Sequence, residues 1–288
     1  MMKKILATVI LYNPDIKQLE RSLKKIIFHV HHIFFVDNAS INKIEIKKYI
    51  DSIPNASCIW NRVNEGLSKS FNNSLKYARE HNFSYLLLLD QDSEPAPNFI
   101  EEMKKFANEE YTCIVPLLKH KSEEYQKAVG SNPTGNTELV NEAINSGTLI
   151  NLDYLPTNIH FDEYLFIDWI DIDFFYQLQK NNLKTLRVNT THLLVDIGNQ
   201  KVHHFLKYTW FSSGYSAFRL KKQAQDTIYF KKKNWGHPHL KGLLTFVYWR
   251  WLMMFFFENH KLKKIFALIA GTRRGYKLCK KLDLKTNG

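Results

Sequence analysis

Cysteine is scarce. Across 288 residues there are three, Cys58, Cys113 and Cys279. Thiols this few, odd in number and widely separated, supply neither a disulfide framework nor a zinc-ligand spacing, and point to a reducing compartment. No apolar run reaches the roughly 20 residues that a membrane-spanning helix needs. The most aromatic stretch, 243–257, is shorter and carries Arg250 inside it. Internal repeats and low-complexity tracts are absent. Met1-Met2-Lys3-Lys4 and the apolar run to Tyr12 have the polarity of a secretory signal, but Asn13-Pro14-Asp15 ends that run without a small-residue cleavage site, so it reads as a first buried strand.

What the chain does have is apolar material and an uneven charge. An apolar content of 44%, with 14% aromatics, is ample for a core and excludes a disordered chain. The net charge of +12 belongs to the C-terminal part: residues 201–288 hold 19 Lys and Arg against 3 Asp and Glu, so the first 200 residues are slightly acidic. Within that basic part, 243–257 is flanked by Lys241, Lys261, Lys263 and Lys264. Aromatic residues favour the headgroup level and cationic flanks are drawn to anionic lipid, so the stretch reads as an interfacial helix; a buried core helix with a basic rim is the plainer alternative.

Short apolar runs alternate with helical patterns over the first hundred residues, the signature of βαβ units and a mainly parallel sheet. Strands are predicted at 5–11, 32–36, 57–60 and 85–89, and helices at 15–29, 43–51, 66–81 and 97–108. An open α/β sheet binds ligands at the carboxyl ends of its strands. The polar residues that follow each run, Tyr12-Asn13-Pro14, Asp37-Asn38-Ala39-Ser40, Asn61 to Gly66 and Asp90 to Ser93, should therefore gather at one edge. Residues 119–145 read as a polar loop, 146–151 as a strand, and the acidic segment around Asp168, Asp171 and Asp173 leads into an apolar helix ending near Asn181.

The run Tyr85 to Leu89, followed at once by Asp90-Gln91-Asp92-Ser93, is the most informative stretch. Two carboxylates at i and i+2 leave a buried central strand together, and hard oxygen ligands of this kind suit Mg²⁺ or Mn²⁺ with positions left for phosphate oxygens. Read alone, the same residues also make an ordinary solvated turn.

Taken in order, the motifs resemble family 2 glycosyltransferases of the inverting, GT-A type, and within them the bacterial rhamnosyltransferase-like branch. Val9 to Pro14 is similar to the first strand and nucleotide loop, and Val36-Asp37-Asn38-Ala39-Ser40 to the base-binding turn. Asn64-Glu65-Gly66-Leu67-Ser68 with Asn72 is similar to an Asn-x-Gly helix entry, Leu89 to Ser93 to the metal motif, and Ile170-Asp171-Ile172-Asp173 to the catalytic-base segment. The resemblance covers about residues 4–235 and implies an α/β, Rossmann-like GT-A domain over 1–235, and the charge and aromatic pattern adds a basic amphipathic helical tail over 236–288. It implies transfer of rhamnose or another hexose from a dTDP- or UDP-linked donor to a saccharide acceptor carried on a polyprenyl diphosphate, in surface polysaccharide (O-antigen or capsule) synthesis. The place would be the cytoplasmic face of the membrane.

Carried onto this sequence, the resemblance makes Asp90 and Asp92 the Mg²⁺ or Mn²⁺ ligands and Asp171 the base. Asp173 is its rival or an acceptor-positioning group, and Asp168 a further rival. Tyr12, Asn13, Asp37, Asn38, Asn64 and Gly66 would meet the nucleotide, Asp37 by accepting from a pyrimidine N3–H, a role a carboxylate fills well. Where many relatives place a His as third metal ligand, this chain reads Leu193 to Asn199, leaving Asp196 or His192, or else His203 or His204, to serve. Arg219 stands in what remains of a motif with His, Pro, Arg and paired Tyr, and would meet a diphosphate. Two other readings compete. A sugar nucleotidyltransferase would carry a glycine-rich triphosphate loop where Tyr12-Asn13-Pro14-Asp15 stands. A basic membrane- or nucleic-acid-binding protein without catalysis fits residues 201–288 but not the acidic first 200; no nucleic-acid partner is expected.

Overall fold

The computed structural model describes residues 3–107, 110–123, 126–127, 133, 135–195, 201–205, 208–212, 214–235 and 259–286. Two compact units form: residues 1–162 with 171–196, and residues 163–170 with 197–288. The basic tail expected from residue 236 falls within the second.

The first unit is built on a nine-stranded sheet. Its leading half consists of β1 (Ile5–Leu11), β2 (His32–Asp37), β3 (Ala56–Trp60) and β4 (Tyr85–Asp90), in the order β3-β2-β1-β4 and parallel throughout. The register pairs Ile10 with Val36 on one side and with Asp90 on the other. β1 is buried along its whole length and β4 up to Leu89, which is why both read as unbroken apolar runs instead of alternating ones. Three helices connect these strands: α1 (Ile16–Leu23), α2 (Lys43–Asp51) and α3 (Leu67–Glu80). On one face Leu19, Leu23, Ile46 and Ile50 pack into the core with alternate residues of β1 and β2. Thr8, fully buried in β1, is satisfied by the Phe34 carbonyl at 3.0 Å and by Ser74 of α3 at 2.7 Å.

Beyond β4 the sheet is mixed. β5 (Glu94–Pro95), α4 (Phe99–Lys104), β6 (Cys113–His120), β7 (Thr137–Leu139), β8 (Leu149–Asn151), α5 (Ile170–Lys180) and β9 (Thr185–Val195) follow in the chain. β8 runs antiparallel between β4 and β6, β9 pairs parallel with β6, and β5 and β7 both pair antiparallel with β9.

Most predicted elements are present, with three corrections. The helix expected over 15–29 stops at Leu23, because the chain tightens into i→i−3 turns (Ile26 to Leu23, His29 to Ile26) that tuck Ile26 into the core and leave Phe28 91% exposed. The helix expected over 97–108 is regular only over Phe99–Lys104, again closing in i→i−3 turns through Ala107. The loop expected over 119–145 contains strand: β6 continues through Lys119 and His120, and β7 is a half-exposed edge strand whose polar side chains hide it from an apolar pattern.

The second unit comprises the segment 163–170, a hairpin of β10 (Lys201–Phe205) and β11 (Tyr208–Ser212), and two long helices, α6 (Ala217–Trp235) and α7 (Lys261–Thr286). The helices approach closely at Gly271 and Gly275. A Cβ at Gly271 would collide with the Lys221 carbonyl oxygen, and one at Gly275 would sit 2.7 Å from Ile228 Cβ. No helix among the described residues is long and apolar enough to cross a membrane. The aromatic stretch 243–257 lies outside the described residues.

Candidate active site

Because β1 to β4 are parallel, their carboxyl ends and the loops that follow share one edge of the sheet, as the pattern of runs predicts. Hydrogen bonds knit those loops together. The Tyr12 N–H donates to Gln91 Oε1 at 2.8 Å and the Gln91 side-chain amide returns to the Tyr12 carbonyl at 3.2 Å, joining the β1 and β4 ends. Asn13, at φ 50°, donates its N–H to Ser40 Oγ and accepts from the Ile41 N–H through Oδ1, both at 2.8 Å, joining the β1 and β2 ends. Asn38 is buried and reaches the β3 end: Oδ1 accepts from Asn61 Nδ2 at 2.9 Å, and Nδ2 donates to Ser70 Oγ at 3.1 Å and to the Gly66 carbonyl at 3.3 Å. Asn64 Oδ1 accepts the Gly66 N–H at 3.0 Å, and Gly66 stands at φ 90°, a conformation that favours glycine, where the chain enters α3.

Asp37 ends β2 with a fully buried side chain. Oδ2 accepts the Ser40 N–H at 3.1 Å, closing the turn that puts Ala39 at φ 63°. Oδ1 is buried with no hydrogen-bond partner. A buried acceptor left unmet costs about 1–3 kcal/mol, which marks this atom as one that a ligand donor would satisfy.

At the β4 end the backbone is pinned from several sides. Ser146 Oγ accepts the Asp90 N–H at 3.0 Å and lies 2.9 Å from Ser93 Oγ. From α1, Gln18 Nε2 donates to the Asp92 carbonyl at 3.0 Å and Ser22 Oγ to the Ser93 carbonyl. Asp90 and Asp92 thus project half-buried carboxylates from a fixed turn. Their oxygen donor set fits a hard divalent cation. The antiparallel pairing of Glu94 with Leu194 carries the end of β9 alongside this turn, but Asp196 itself lies outside the described residues. His192 stands farther down β9, its carbonyl accepting the Ala96 N–H. Burial first, then Lys119 and Lys25, hold its imidazole below the ordinary histidine range. Among the described residues no three His, Cys, Asp or Glu side chains come together as a metal-holding group. The side chains of His203 and His204 also lie outside the described residues.

Asp171, in the first turn of α5, is tied to the same place. Asn145 Nδ2 donates to Asp171 Oδ1 at 2.8 Å, and Asn145 is the neighbour of Ser146, which holds Asp90. Gly147, at φ 83°, follows, and a Cβ there would sit 2.8 Å from Pro116 Cγ, so this turn is packed tightly. Asp173, two residues along the helix, faces the interior at 1% exposure and accepts from Gln177 Nε2 at 2.9 Å. Asn145, Ser146 and Gln91 are the site residues that sequence reasoning left without a role. The one signal for the first two is their place in Asn145-Ser146-Gly147, a turn directly before a strand.

The family model described as Glycosyl transferase family 2 matches residues 8–164, from the carboxyl half of β1 through β8, with the whole of this strand edge. The chain belongs to that family. It is similar to dTDP-rhamnosyl transferase RfbF of Shigella flexneri, 23% identical over 186 residues, covering 60% of this chain and 62% of that protein. Among solved structures, GalNAc-T7 with UDP, GalNAc and Mn²⁺ matches with a TM-score of 0.57 at 13% identity, over 79% of this chain and 48% of that one. S. aureus TarS 1–349 in complex with UDP-GlcNAc matches with a TM-score of 0.53 at 15% identity, over 93% and 79%. The chain spans about three fifths of the length of the rhamnosyl transferase and about half of GalNAc-T7. These likenesses establish the GT-A fold of a family 2 member with a helical C-terminal region.

In the second unit, Arg219 of α6 lies 4.1 Å from the centre of the Tyr215 ring, and its Nε is buried without a partner. Lys222 sits 3.6 Å from the centre of the Phe166 ring, and burial first, then Arg274, hold its ammonium below the ordinary lysine range.

Proposed function

We propose that this chain is a metal-dependent, inverting glycosyltransferase that moves rhamnose or another hexose from a dTDP- or UDP-linked donor to a saccharide acceptor on a polyprenyl diphosphate, in surface polysaccharide synthesis. The observation that carries the reading is the short chain of contacts from Asp171 through Asn145 and Ser146 to Asp90. It joins a carboxylate suited to take a proton to a carboxylate pair suited to a cation. Asp90 and Asp92 would hold Mg²⁺ or Mn²⁺, which when bound offsets the charge of a leaving diphosphate.

The protein's own groups account for the remaining chemistry. Asp37 Oδ1, buried and unmet, supports recognition of a pyrimidine N3–H. Asn64 and Gly66 present the entry of α3 to the phosphates. Asp171 takes the acceptor hydroxyl proton as the new bond from that oxygen to the anomeric carbon forms and the bond to the donor phosphate breaks, which inverts the anomeric centre. Asp173 is less suited, since it is buried against Gln177. The unmet Nε of Arg219 supports contact with a diphosphate. Association with the cytoplasmic face of an anionic membrane rests on the basic composition of residues 201–288 and on α7, where Leu262 and Phe266 are 73% and 68% exposed among lysines and arginines.

The deciding experiment is a panel of UDP-, dTDP- and GDP-sugars with Mg²⁺ or Mn²⁺, read by release of nucleotide diphosphate. Metal-dependent turnover of a dTDP- or UDP-sugar is the expected result. Turnover undiminished in excess EDTA would remove the metal from the proposal, and no turnover of any donor would remove the enzyme reading.

A further inference from the structure

Gln91 stands between the two carboxylates of the proposed cation site, half-exposed, and its side chain is engaged by the backbone of another loop. Oε1 accepts the Tyr12 N–H at 2.8 Å and Nε2 donates to the Tyr12 carbonyl at 3.2 Å, so one planar amide meets both main-chain polar groups of a single residue. The register sets Ile10 of β1 beside Asp90 of β4, so the amide bridges two strand ends that are already adjacent. The two sides of this bridge are held differently. The turn after β4 has holds of its own: the Asp90 N–H donates to Ser146 Oγ, and Gln18 and Ser22 donate to the carbonyls of Asp92 and Ser93. The loop after β1 is held toward β2 instead, by Asn13 with Ser40 and Ile41 and by Asn42 Nδ2, which donates to the Pro14 carbonyl at 3.0 Å. Of these hydrogen bonds, those of Gln91 are the ones that join the Tyr12 backbone to the β4 turn.

We infer that Gln91 is a positioning residue that couples nucleotide binding to cation binding: it fixes the loop proposed to carry the nucleotide against the turn whose carboxylates are proposed to meet the cation. The inference rests on that reading of Asp90, Asp92, Tyr12 and Asn13. A nucleotide diphosphate joins its base to its phosphates through a short linkage, so both ends are met at full strength only when loop and turn already stand at a matching spacing. Holding them so before binding removes an ordering cost from the state in which nucleotide and cation are bound together. A nucleotide that binds without the cation has no need of that spacing. Gln91 should therefore leave metal-free nucleotide affinity nearly unchanged and act on the coupling. Coupling is reciprocal, so the factor by which the cation tightens the nucleotide equals the factor by which the nucleotide tightens the cation. Two hydrogen bonds between neutral groups, each exchanged against water, allow that factor to fall about 10-fold when both are removed.

The test is calorimetric titration of the full chain as wild type, Gln91→Met, Gln91→Asn and Asp92→Asn. UDP and dTDP are titrated in EDTA and in saturating Mn²⁺, and Mn²⁺ is titrated with and without nucleotide, with allowance for the complex that the two form in solution. Methionine keeps the length of the side chain and loses both bonds, whereas asparagine keeps the amide and falls one methylene short. Both should lower the Mn²⁺-dependent gain in nucleotide affinity about 10-fold, and the nucleotide-dependent gain in Mn²⁺ affinity by the same factor. Metal-free nucleotide affinity should stay within about twofold of wild type. If one variant does not fold, the other carries the same readout. Gains equal to wild type in the folded Gln91 variants would overturn the inference. So would an equal weakening of nucleotide with and without Mn²⁺, which would leave Gln91 a prop of the nucleotide loop and nothing more. The two readings fail separately: a wild-type gain that Asp92→Asn abolishes and the Gln91 variants keep rejects the coupling role alone, whereas no gain in wild type, or one untouched by Asp92→Asn, rejects the cation reading of the turn and the inference with it.

Discussion

The buried carboxylate of Asp226 should make the protein less stable as pH rises from 5 to 8, and Asp226→Asn should remove that slope. Two effects oppose each other at this side chain. Burial disfavours the charged form, while the backbone N–H groups of Ile167, Asp168 and Phe166 favour it, and the charge of Asp168 adds a smaller push in the direction of burial. Burial wins, and the carboxyl is raised to about 7. In the unfolded chain it titrates near 3.9. The folded state therefore binds the proton more tightly, so this group's contribution is fully present below about pH 4. It is lost as pH climbs through the interval and levels off above about 7. Each unit of difference is worth about 1.4 kcal/mol, so the whole swing is on the order of 2–4 kcal/mol. For a protein of this size that is several degrees of Tm. Lys222, one turn earlier on α6, is held below the ordinary lysine range by burial and then Arg274, and the Asp226 charge offsets part of that. The assay is thermal or urea unfolding of wild type and Asp226→Asn at half-unit steps of pH. The two curves should diverge upward in pH, with the asparagine variant the more stable at pH 8. If wild type instead gains on the variant as pH rises, the three N–H donors outweigh burial and the reasoning fails.

Asp92→Asn should lower turnover by orders of magnitude and leave Tm unchanged, since it removes a ligand from a turn held by Gln18, Ser22 and Ser146; activity within a few-fold of wild type would reject the metal role. Asp171→Asn should bind UDP and dTDP normally and turn over about 10²–10⁴-fold more slowly, and a milder effect than that of Asp173→Asn or Asp168→Asn would show that the wrong carboxylate carries the role. Asp37→Asn should weaken UDP and dTDP about 10- to 100-fold, by loss of a charged acceptor worth about 1.5–3 kcal/mol, and narrow the preference over CDP, whose N3 accepts; equal UDP affinity in titration calorimetry would sink the base-binding assignment. Leu262→Asp with Phe266→Asp should reduce flotation with anionic vesicles at low salt while leaving nucleotide binding intact, and unchanged flotation would take α7 out of any membrane contact.

How much of this was legible depended on what each residue packs against. β1 and β4 were plain because central parallel strands are buried on both faces and must be apolar throughout, and the acidic pair at the end of β4 stood out by contrast. The loops were legible as a set for a related reason: parallel strands send every carboxyl end to the same edge. The end of α1 was not, since Ile26 and Ile27 keep a helical spacing whether the backbone is α-helical or closes in tighter turns. β7 was hidden because an edge strand half in water needs no apolar alternation. Asn145 and Ser146 read as polar loop because their partners, Asp171 and Asp90, are 26 and 56 residues away. Asp226 was the least legible of all. A single acidic residue in a basic helix carries no pattern, and its partners are backbone groups, which the sequence does not distinguish.

The proposal of Asp171 over Asp173 as base rests on local geometry, where spacing leaves both open. Residues two apart on an α-helix point some 200° from one another, so at most one of the pair can face the strand edge. Phe174, Phe175 and Leu178 are buried in the core, and Asp173 shares their interior face at 1% exposure, held to Gln177 one turn later. Asp171 is then turned the other way, where Asn145 meets it. A buried carboxylate paired within its own helix serves the helix. One that is half-exposed and meets an amide from the turn that also holds Asp90 is the better candidate for the proposed base. The same helix thus spends one acidic residue on its own first turn and presents the other, and which does which follows from the side that the apolar residues must bury.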